Sequence, residues 1–424
     1  MIAGELLSFH HRSLKEISSI TPGEVYLLRW DEDFIMKDSL EGDLVLNISD
    51  GSVLANVRKM KLSTVPNMIL PMLVKLFFGS LETVGPLADL IRAAVRTRSF
   101  PSAGKIARQI FLWKGKGKKN YLDNYRTITM AGAILKICEA FVKHAKMKYW
   151  KKAGFPSAYW GQFSGAPESI YILLSTVECY IRKSLRPETA LTDVSKAFDR
   201  PSIKLYMRKL VDYDLPRQLI ELVVEFITGL CVNLSWGGAM TKSLDRGEYG
   251  VPQGSLEGMW NFSVYSDNIQ REMIKSVPGI NVGGQIFRDI VYADDDTPVN
   301  SCPSLTSRAL KAIASEGAYN CYNFKPSKCK VIGADPGDLT EYKIGNDSIQ
   351  RADGGLLLGG VIAGRGINAF EHARIREGVV KKAITQIKSW RYLGLSASIT
   401  FRKLFIAKIL PCFSFAFSLL NLPD

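Results

Sequence analysis

The sequence predicts a protein of the mixed α and β class, and three observations lead to that prediction. Apolar residues recur at helical spacing over residues 65–98, 205–230 and 374–422, as in amphipathic helices. A short β-prone run over residues 190–193 ends in Asp193, and another over residues 288–292 is followed closely by Asp294 and Asp295; aspartates suit the turn after a strand. Hydrophobic residues make up 46% and charged residues 23% of the chain, a balance typical of globular proteins.

The length and charge of the chain indicate a large protein with a polyanionic partner. With 424 residues, the chain can bury more than one hydrophobic core. Lys and Arg number 55 against 41 Asp and Glu, which gives a formal net charge of +14. This excess favours binding to a polyanion, but charge alone does not separate DNA, RNA, the ribosome or an anionic membrane.

The cysteine pattern indicates a reducing compartment. The seven cysteines are scattered, without a Cys-x-x-Cys pair or a nearby pair of histidines, which argues against a zinc site. The first residues lack the basic and then apolar pattern of a secretory signal. We therefore expect an intracellular protein, with the nucleus or cytoplasm favoured over the mitochondrion.

One apolar segment, residues 404–422, raises the question of a membrane helix. Lys408 and Pro411 interrupt the segment, whereas a spanning helix needs a long, continuous apolar run. The interruptions favour a buried terminal helix, so we expect no membrane partner. The helical pattern of residues 205–230 is likewise interrupted near Pro216, which predicts two helices there.

A basic, glycine-containing loop lies at residues 113–119 (Trp-Lys-Gly-Lys-Gly-Lys-Lys), before the sequence Asn-Tyr-Arg-Thr-Ile at residues 124–128. Glycine lets a backbone approach a ligand closely, while Lys114, Lys116 and Arg126 can meet phosphate oxygens. An ordinary solvated turn is the alternative interpretation of such a loop.

Aspartates follow two of the β-prone runs. Residues 190–199 indicate a strand that carries Asp193 at its end and turns into a helix, and Asp294, Asp295 and Asp296 follow a second strand. Adjacent carboxylates repel one another, and a hard cation such as Mg²⁺ relieves the repulsion because it binds oxygen ligands and bridges phosphates. An acidic turn on a solvated surface is the alternative.

These segments, taken in order, resemble a known family. Residues 190–199 are close to Asp-x-x-Lys-Ala-Phe-Asp, residues 250–255 match Gly-Val-Pro-Gln-Gly-Ser, and Tyr-Ala-Asp-Asp stands at residues 292–295. Residues 324–330 are similar to an Asn-Pro-x-Lys-Thr element, and residues 356–360 to a Tyr-Leu-Gly hairpin. Together the motifs resemble the reverse transcriptase of non-LTR retrotransposons.

The resemblance covers the chain from about residue 60 to residue 422 and implies a fold. That fold is α+β, a right-hand polymerase with an antiparallel palm sheet, helical fingers and a helical thumb. The implied domains are an N-terminal extension of unclear role at residues 1–60, fingers at 61–185, a palm at 186–363 that includes the helices of 205–230, and a thumb at 364–424.

The resemblance also implies roles for individual residues. Asp193 and Asp294 would bind two Mg²⁺ ions, with Mn²⁺ as a substitute, and Asp295 would support them. Asp296 is an extra acid without a ligand role. Lys328 would donate a proton to the leaving pyrophosphate, and Lys114, Lys116 and Arg126 would bind the triphosphate. Phe198 would exclude a 2′-hydroxyl, and Gln253 and Gly254 would line the nucleotide pocket. Leu358 and Gly359 would form the primer grip.

The implied function is RNA-directed DNA synthesis, in which deoxynucleotides are added to a primer 3′-hydroxyl by two-metal phosphoryl transfer. Its partners would be an RNA template, a primer strand, deoxynucleoside triphosphates and further ribonucleoprotein subunits. Lys and Arg of the thumb would follow the phosphates of the duplex without reading its sequence.

Some positions depart from the family pattern. Thr127 stands where proline is usual, and Glu257 and Met259 stand in a continuation that is usually Val-Leu-Gly-Pro. Because a fold does not by itself determine a function, a catalytically silent RNA-binding scaffold subunit of a ribonucleoprotein is the alternative, and an intron-maturase relative is a third. Clustered carboxylates favour the enzyme, since a scaffold has no need for groups that repel nucleic acid.

Overall fold

The computed structural model describes residues 48–61, 71–115, 117–153, 166–245, 250–252, 254–333, 340–364, 366–367 and 369–390, and the single residues 8, 46, 406 and 410. Lys116 and Gln253, two of the predicted nucleotide-binding residues, lie outside the described residues. Most of the N-terminal extension and nearly all of the apolar segment at residues 404–422 also lie outside them.

Helices and strands are mixed along the described chain, so the prediction of a mixed α and β class is confirmed. The helices are α1 Asp50–Lys59, α2 Pro71–Phe78, α3 Gly85–Thr97, α4 Ala133–Ala153, α5 Ala166–Arg182, α6 Ile203–Asp212, α7 Arg217–Ile227, α8 Gly258–Ser276, α9 Pro303–Tyr319 and α10 Ala369–Trp390.

Most strands are short. They are β1 Ile106–Trp113, β2 Tyr125–Met130, β3 Glu188–Leu191, β4 Cys231–Trp236, β5 Ala239–Met240, β6 Leu244–Asp245, β7 Ile280–Val282, β8 Gln285–Phe287, β9 Asp289–Tyr292, β10 Asp295–Asn300, β11 Lys330–Gly333, β12 Tyr342–Ile344, β13 Asp347–Ala352, β14 Gly354–Leu357, β15 Gly360–Ala363 and β16 Gly366–Ile367.

The helices predicted from apolar spacing are present wherever the structure describes the chain. The spacing over residues 65–98 corresponds to α2 and α3, and the two helices predicted around Pro216 are α6 and α7. Ser202 caps α6 by accepting a hydrogen bond from the Leu205 N–H, which satisfies a donor that the first turn leaves free. The spacing over residues 374–422 corresponds to α10 as far as Trp390.

The chain forms two compact units, each built from separate stretches of sequence. The first unit contains the described residues of Met1–Tyr159, Lys196–Asn268 and Gly317–Tyr322. The second contains those of Trp160–Ser195, Ile269–Glu316 and Asn323–Asp424. The four domains expected from the sequence stay a prediction.

The first unit contains a five-stranded sheet in the order β2-β1-β4-β5, with β6 also paired to β4. β1 pairs antiparallel with β2 and parallel with β4, and α7 packs against α6 and α4. The stretch predicted as helical fingers therefore also carries two strands. The sequence alone does not indicate them, because the parallel partner of β1 comes more than one hundred residues later in the chain.

The second unit is built on a six-stranded sheet in the order β12-β13-β11-β3-β10-β9. Its pairs are antiparallel, as predicted, except that β11 and β13 run parallel. The exception arises because β12 lies between β11 and β13 in the sequence and pairs antiparallel with β13, so that β13 runs in the same direction as β11. One face of the sheet packs on α5 in a buried core to which β7, β14 and β15 also contribute. The core residues are Ile170, Leu173, Val177, Tyr180, Leu191, Ile280, Ile290, Val299, Ile332, Leu357 and Ile362.

Among the described helices, none is both long enough and apolar enough to cross a membrane.

Candidate functional site

The β9–β10 hairpin of the second unit carries the paired carboxylates. Tyr292 pairs with Asp295, so Ala293 and Asp294 are the two residues of the turn, and the predicted turn between strands is confirmed. Ala293 has a φ of 57°, a left-handed conformation that costs a residue with a Cβ about 1–2 kcal/mol. The turn holds Asp294 and Asp295 at the tip of the hairpin.

Asp193 reaches the same end of the sheet from β3. This strand pairs antiparallel with β10, and the Thr192 Oγ1 donates a hydrogen bond to the Asp296 carbonyl oxygen over 2.7 Å. The contact extends the register of the two strands past the end of β3 at Leu191. One residue further, Asp193 comes level with Asp295, and residues opposite one another on antiparallel strands project to the same face.

Lys328 forms an ion pair with Asp193. Its Nζ lies 2.7 Å from Oδ2 and 2.8 Å from Oδ1 of the carboxylate. The Lys325 N–H donates to the Asp193 carbonyl oxygen over 2.9 Å, which ties the two segments together. The side chains of Lys328 and Asp193 are 45% and 34% exposed, so the pair adds little to stability. Two predicted catalytic residues are thus in direct contact.

Asp193, Asp294 and Asp295, which we call the carboxylate cluster, offer oxygen donors of the kind that Mg²⁺ binds. Mg²⁺ binds one or two carboxylates, keeps several waters and takes its other ligands from substrate phosphates. Asp193 and Asp295 on one face, with Asp294 in the adjoining turn, can supply such a protein share. Within the described ranges, no three His, Cys, Asp or Glu side chains form a group that could hold a metal ion.

An acid pair, half-buried Asp289 and buried Asp296, lies on the opposite face of the hairpin. Gln270 Nε2 donates to Asp296 Oδ2 over 3.0 Å. Burial raises the pKa of Asp289, and burial together with the charge of Asp289 raises the pKa of Asp296 well above its usual value. A neighbouring like charge disfavours ionisation of a carboxyl, which acts in the same direction as burial. The signal that could have found the pair is the hairpin register, because a two-residue turn places Asp289 and Asp296 on one face.

In the first unit, two of the sequence motifs lie side by side. The Val251 N–H donates to the Phe198 carbonyl oxygen over 2.7 Å, and the Gly250 N–H donates to the Pro201 carbonyl oxygen over 2.7 Å. The Phe198 ring is half-buried and stacks on Phe262 with centroids 4.8 Å apart. These contacts fix both the backbone and the ring of Phe198 beside the segment that begins at Gly250.

Gly254 occupies a position that only glycine fits. Its φ is +114°, and a Cβ added there would lie 2.6 Å from the Thr129 carbonyl oxygen of β2. A larger residue would be strained by the backbone angle and would push against the strand. The backbone of Gly254 thus lies directly against β2, and its role in lining a nucleotide pocket stays a prediction.

The predicted basic loop is the tip of the β1–β2 hairpin. Lys114 Nζ donates to the Asp123 carbonyl oxygen over 2.8 Å, so this ammonium group contacts the backbone of its own loop. Lys119 Nζ lies 5.0 Å from the centroid of the Trp113 ring. Arg126 is exposed on β2. The hairpin thus presents several cations to solvent, and Lys114 and Arg126 are brought onto one element.

The predicted Leu-Gly hairpin is confirmed as the turn between β14 and β15. Leu357 pairs with Gly360, and the turn residues Leu358 and Gly359 have φ values of 48° and 86°. Two positive values are characteristic of a type I′ turn. Arg376 of α10 donates a hydrogen bond to the Gly359 carbonyl oxygen. A role in gripping a primer stays a prediction.

A buried polar network in the first unit has no counterpart among the sequence predictions. Lys146 Nζ lies 2.6 Å from Glu257 Oε2 and donates to Asn261 Oδ1 over 2.7 Å. Glu139 Oε2 accepts a hydrogen bond from the Leu256 N–H over 3.1 Å. Glu257 is one of the positions that depart from the family pattern, but nothing in the sequence links it to a lysine more than one hundred residues away.

Glu139 gives this network a pH dependence. Burial raises the pKa of Glu139 from 4.5 to about 7; the hydrogen bond from the Leu256 N–H opposes this rise, the charge of Glu257 adds to it, and Lys136 and Lys146 oppose it. The folded protein therefore binds the proton more tightly than the unfolded chain, and stability is lost as the pH rises from 4.5 to about 7.

Replacing Glu139 by Gln is expected to remove that loss. The interval between 4.5 and about 7 corresponds to roughly 3 kcal/mol. Above pH 7 the variant should exceed the wild type in free energy of unfolding by up to that amount, and the difference should shrink toward pH 4.5. Urea denaturation across this range measures the effect, with exposed Asp89→Asn as the control. Parallel pH curves for the wild type and Glu139→Gln would contradict the assignment.

Comparison of the sequence with protein-family models gives no match, and comparison with curated proteins gives none either. The resemblance noted in the motifs therefore depends on those residues alone.

Proposed function

We propose that this protein is an RNA-directed DNA polymerase that adds deoxynucleotides to a primer 3′-hydroxyl on an RNA template. One observation carries the proposal. Asp193 lies level with Asp295 beside the Asp294 turn. Carboxylates at one end of a strand pair repel nucleic acid, so a purely RNA-binding surface has no use for them, whereas metal-dependent phosphoryl transfer does.

The proposed architecture is a right-hand polymerase. The six-stranded sheet with its Asp294 turn would be the palm. The β1–β2 hairpin would belong to the fingers, and α10 would begin the thumb. A net charge of +14 supports this assignment, because a template and primer present two chains of phosphates to the protein.

The chemistry follows from the side chains of the carboxylate cluster. Asp193, Asp294 and Asp295 would hold two Mg²⁺ ions, with Mn²⁺ as a substitute, and bound metal supplies Lewis-acid stabilisation of negative charge on phosphate oxygens. Lys328 carries protons on Nζ and is 45% exposed, so its ammonium group can turn from Asp193 to a substrate oxygen. There it would give a proton to the leaving pyrophosphate.

Cations of the β1–β2 hairpin would bind the incoming triphosphate. Arg126 is exposed on β2 and can form paired hydrogen bonds with phosphate oxygens. Lys114 would add positive charge at the tip of the hairpin, and Lys116, two residues later in the sequence, would add to the binding of the triphosphate. Release of Lys114 Nζ from the Asp123 carbonyl oxygen would accompany this binding.

Replacing Phe198 by Val is expected to admit ribonucleotides. The stacked Phe198 ring is bulky enough to exclude a 2′-hydroxyl, whereas contact discrimination against one added hydroxyl is otherwise modest. We expect kcat/KM for CTP relative to dCTP to rise about 10- to 100-fold in the variant, measured by primer extension on an RNA template.

The matched control for this experiment is Phe198→Tyr, which keeps an aromatic ring and should keep the wild-type preference for dCTP. Thermal unfolding of both variants separates selectivity from folding. A folded Phe198→Val protein with the wild-type ratio of CTP to dCTP use would remove Phe198 from the nucleotide pocket.

The second candidate is a catalytically silent RNA-binding scaffold subunit of a ribonucleoprotein. The observation that favours it is the Lys328–Asp193 ion pair, in which a cation of the protein neutralises the carboxylate. Such a scaffold would bind RNA with an affinity that falls steeply with salt and would make no DNA.

A further inference from the structure

The segment from Gly250 to Glu257 is held at its two ends by different kinds of contact. At the amino end, the N–H groups of Gly250 and Val251 donate to backbone carbonyl oxygens. At the carboxyl end, the Leu256 N–H donates to the Glu139 carboxylate, and the Glu257 carboxylate pairs with Lys146. The carboxyl end thus depends on two charged side chains of α4.

Burial makes the Lys146–Glu257 pair costly to form. The side chains of Lys146 and Glu257 are 0% and 6% exposed, and burial lowers the pKa of Lys146 and raises the pKa of Glu257. Apolar residues of similar volume often stabilise a protein as much as a buried ion pair, or more. Stability therefore does not explain why this buried position holds an ion pair and not two apolar residues. A requirement that Glu257 occupy one defined position does explain it.

The surroundings of Lys146 allow its ammonium group few positions. Asn261 Oδ1 accepts hydrogen bonds from Lys146 Nζ and from the Tyr206 hydroxyl, each over 2.7 Å. The same ammonium group lies 5.5 Å from the centroid of the Trp150 ring. Because Asn261 and Trp150 both contact the Lys146 ammonium group, Lys146 holds the Glu257 carboxylate in one position, and with it the residue that directly precedes α8.

Leu256 and Glu257 lie on the carboxyl side of the predicted pocket residues Gln253 and Gly254. Gly254 packs so closely on Thr129 of β2 that a Cβ would not fit, so the segment has little room to shift without losing this contact. A displacement of Leu256 would be passed along the short chain to Gly254.

We propose that Glu139, Lys146 and Glu257 are positioning residues that fix the carboxyl end of the segment from Gly250 to Glu257, and that through this segment they set the affinity for the incoming deoxynucleotide. The second half of this inference rests on the proposed polymerase function. The first half concerns the backbone of the segment alone and can be measured without any activity.

The test compares the full-length wild type with Glu139→Ala and Glu139→Gln, using Asp89→Ala as an exposed control. Hydrogen exchange of the peptide that spans residues 250–258 reports on the segment, and primer extension at varied dTTP concentration gives KM and kcat. In Glu139→Ala we expect protection of the peptide to fall at least about fivefold. We also expect KM for dTTP to rise about tenfold, with kcat within about twofold of the wild type.

Glu139→Gln keeps an oxygen that can accept the Leu256 hydrogen bond, so it should restore both protection and KM. A general loss of stability would instead lower protection throughout the chain and reduce kcat. Unchanged protection in Glu139→Ala would overturn the proposal, and so would lost protection with an unchanged KM. If the wild type makes no DNA, the polymerase proposal fails with the nucleotide half of this inference, and the exchange data alone decide whether the network holds the segment.

Discussion

Replacement of Asp193 or Asp294 by Asn is expected to abolish DNA synthesis while leaving the fold intact. Asn keeps the volume of the side chain but removes the negative charge that a divalent cation requires. Loss of a metal ligand removes several kcal/mol of charge stabilisation, so kcat/KM for templated deoxynucleotide addition should fall at least about 10³-fold. Primer extension on an RNA template, with thermal unfolding of each variant, measures both expectations.

The matched control is Asp347→Asn. Asp347 is an exposed aspartate at the β12–β13 turn of the same sheet, so its loss tests the effect of removing a carboxylate from this unit. That variant should retain wild-type synthesis. Activity within about tenfold of the wild type in Asp193→Asn or Asp294→Asn would exclude the carboxylate cluster as the catalytic centre.

Replacement of Lys146 by Met is expected to lower the free energy of unfolding of the protein substantially. The substitution leaves the Glu257 carboxylate buried without its cation, and removal of one partner from a buried ion pair costs about 3–5 kcal/mol. Urea denaturation near neutral pH should show this loss in the free energy of unfolding. The hydrogen bond from Lys146 to Asn261 is lost as well, which acts in the same direction.

The double variant Lys146→Met/Glu257→Met should regain most of that stability, because no charge is then left buried. We expect its free energy of unfolding to come within about 1 kcal/mol of the wild-type value or to exceed it. The loss in the double variant could instead equal the sum of the losses in Lys146→Met and Glu257→Met. That result would show that the two side chains do not interact, and would contradict the pairing seen in the structure.

Local features of the fold were predictable because their signals lie close together in the sequence. Pro216 interrupts one helical pattern and separates α6 from α7. Asp294 sits in a two-residue turn between β9 and β10, and Leu358 and Gly359 form the turn between β14 and β15. In each case a run of apolar residues and the turn residues beside it determine the local structure.

Other features depend on residues that are far apart in the chain, so no local pattern reveals them. β1 needs β4 as its parallel neighbour, and Lys146 needs Glu257. A buried lysine within a helical pattern cannot be told from an exposed one until its partner is known. The contact between Lys328 and Asp193 is of the same kind. The sequence indicates both as candidate catalytic residues, but it does not indicate that they form an ion pair.

The assignment of RNA-directed DNA synthesis is tested most directly by primer extension with the wild-type protein on an RNA template. Deoxynucleotides should be added in the order that the template specifies. Addition should stop with a chelator and resume with Mg²⁺ or Mn²⁺, since oxygen ligands accept either ion. A folded wild-type protein that binds the template and primer but adds no deoxynucleotide with either metal would contradict the polymerase assignment and favour the RNA-binding scaffold.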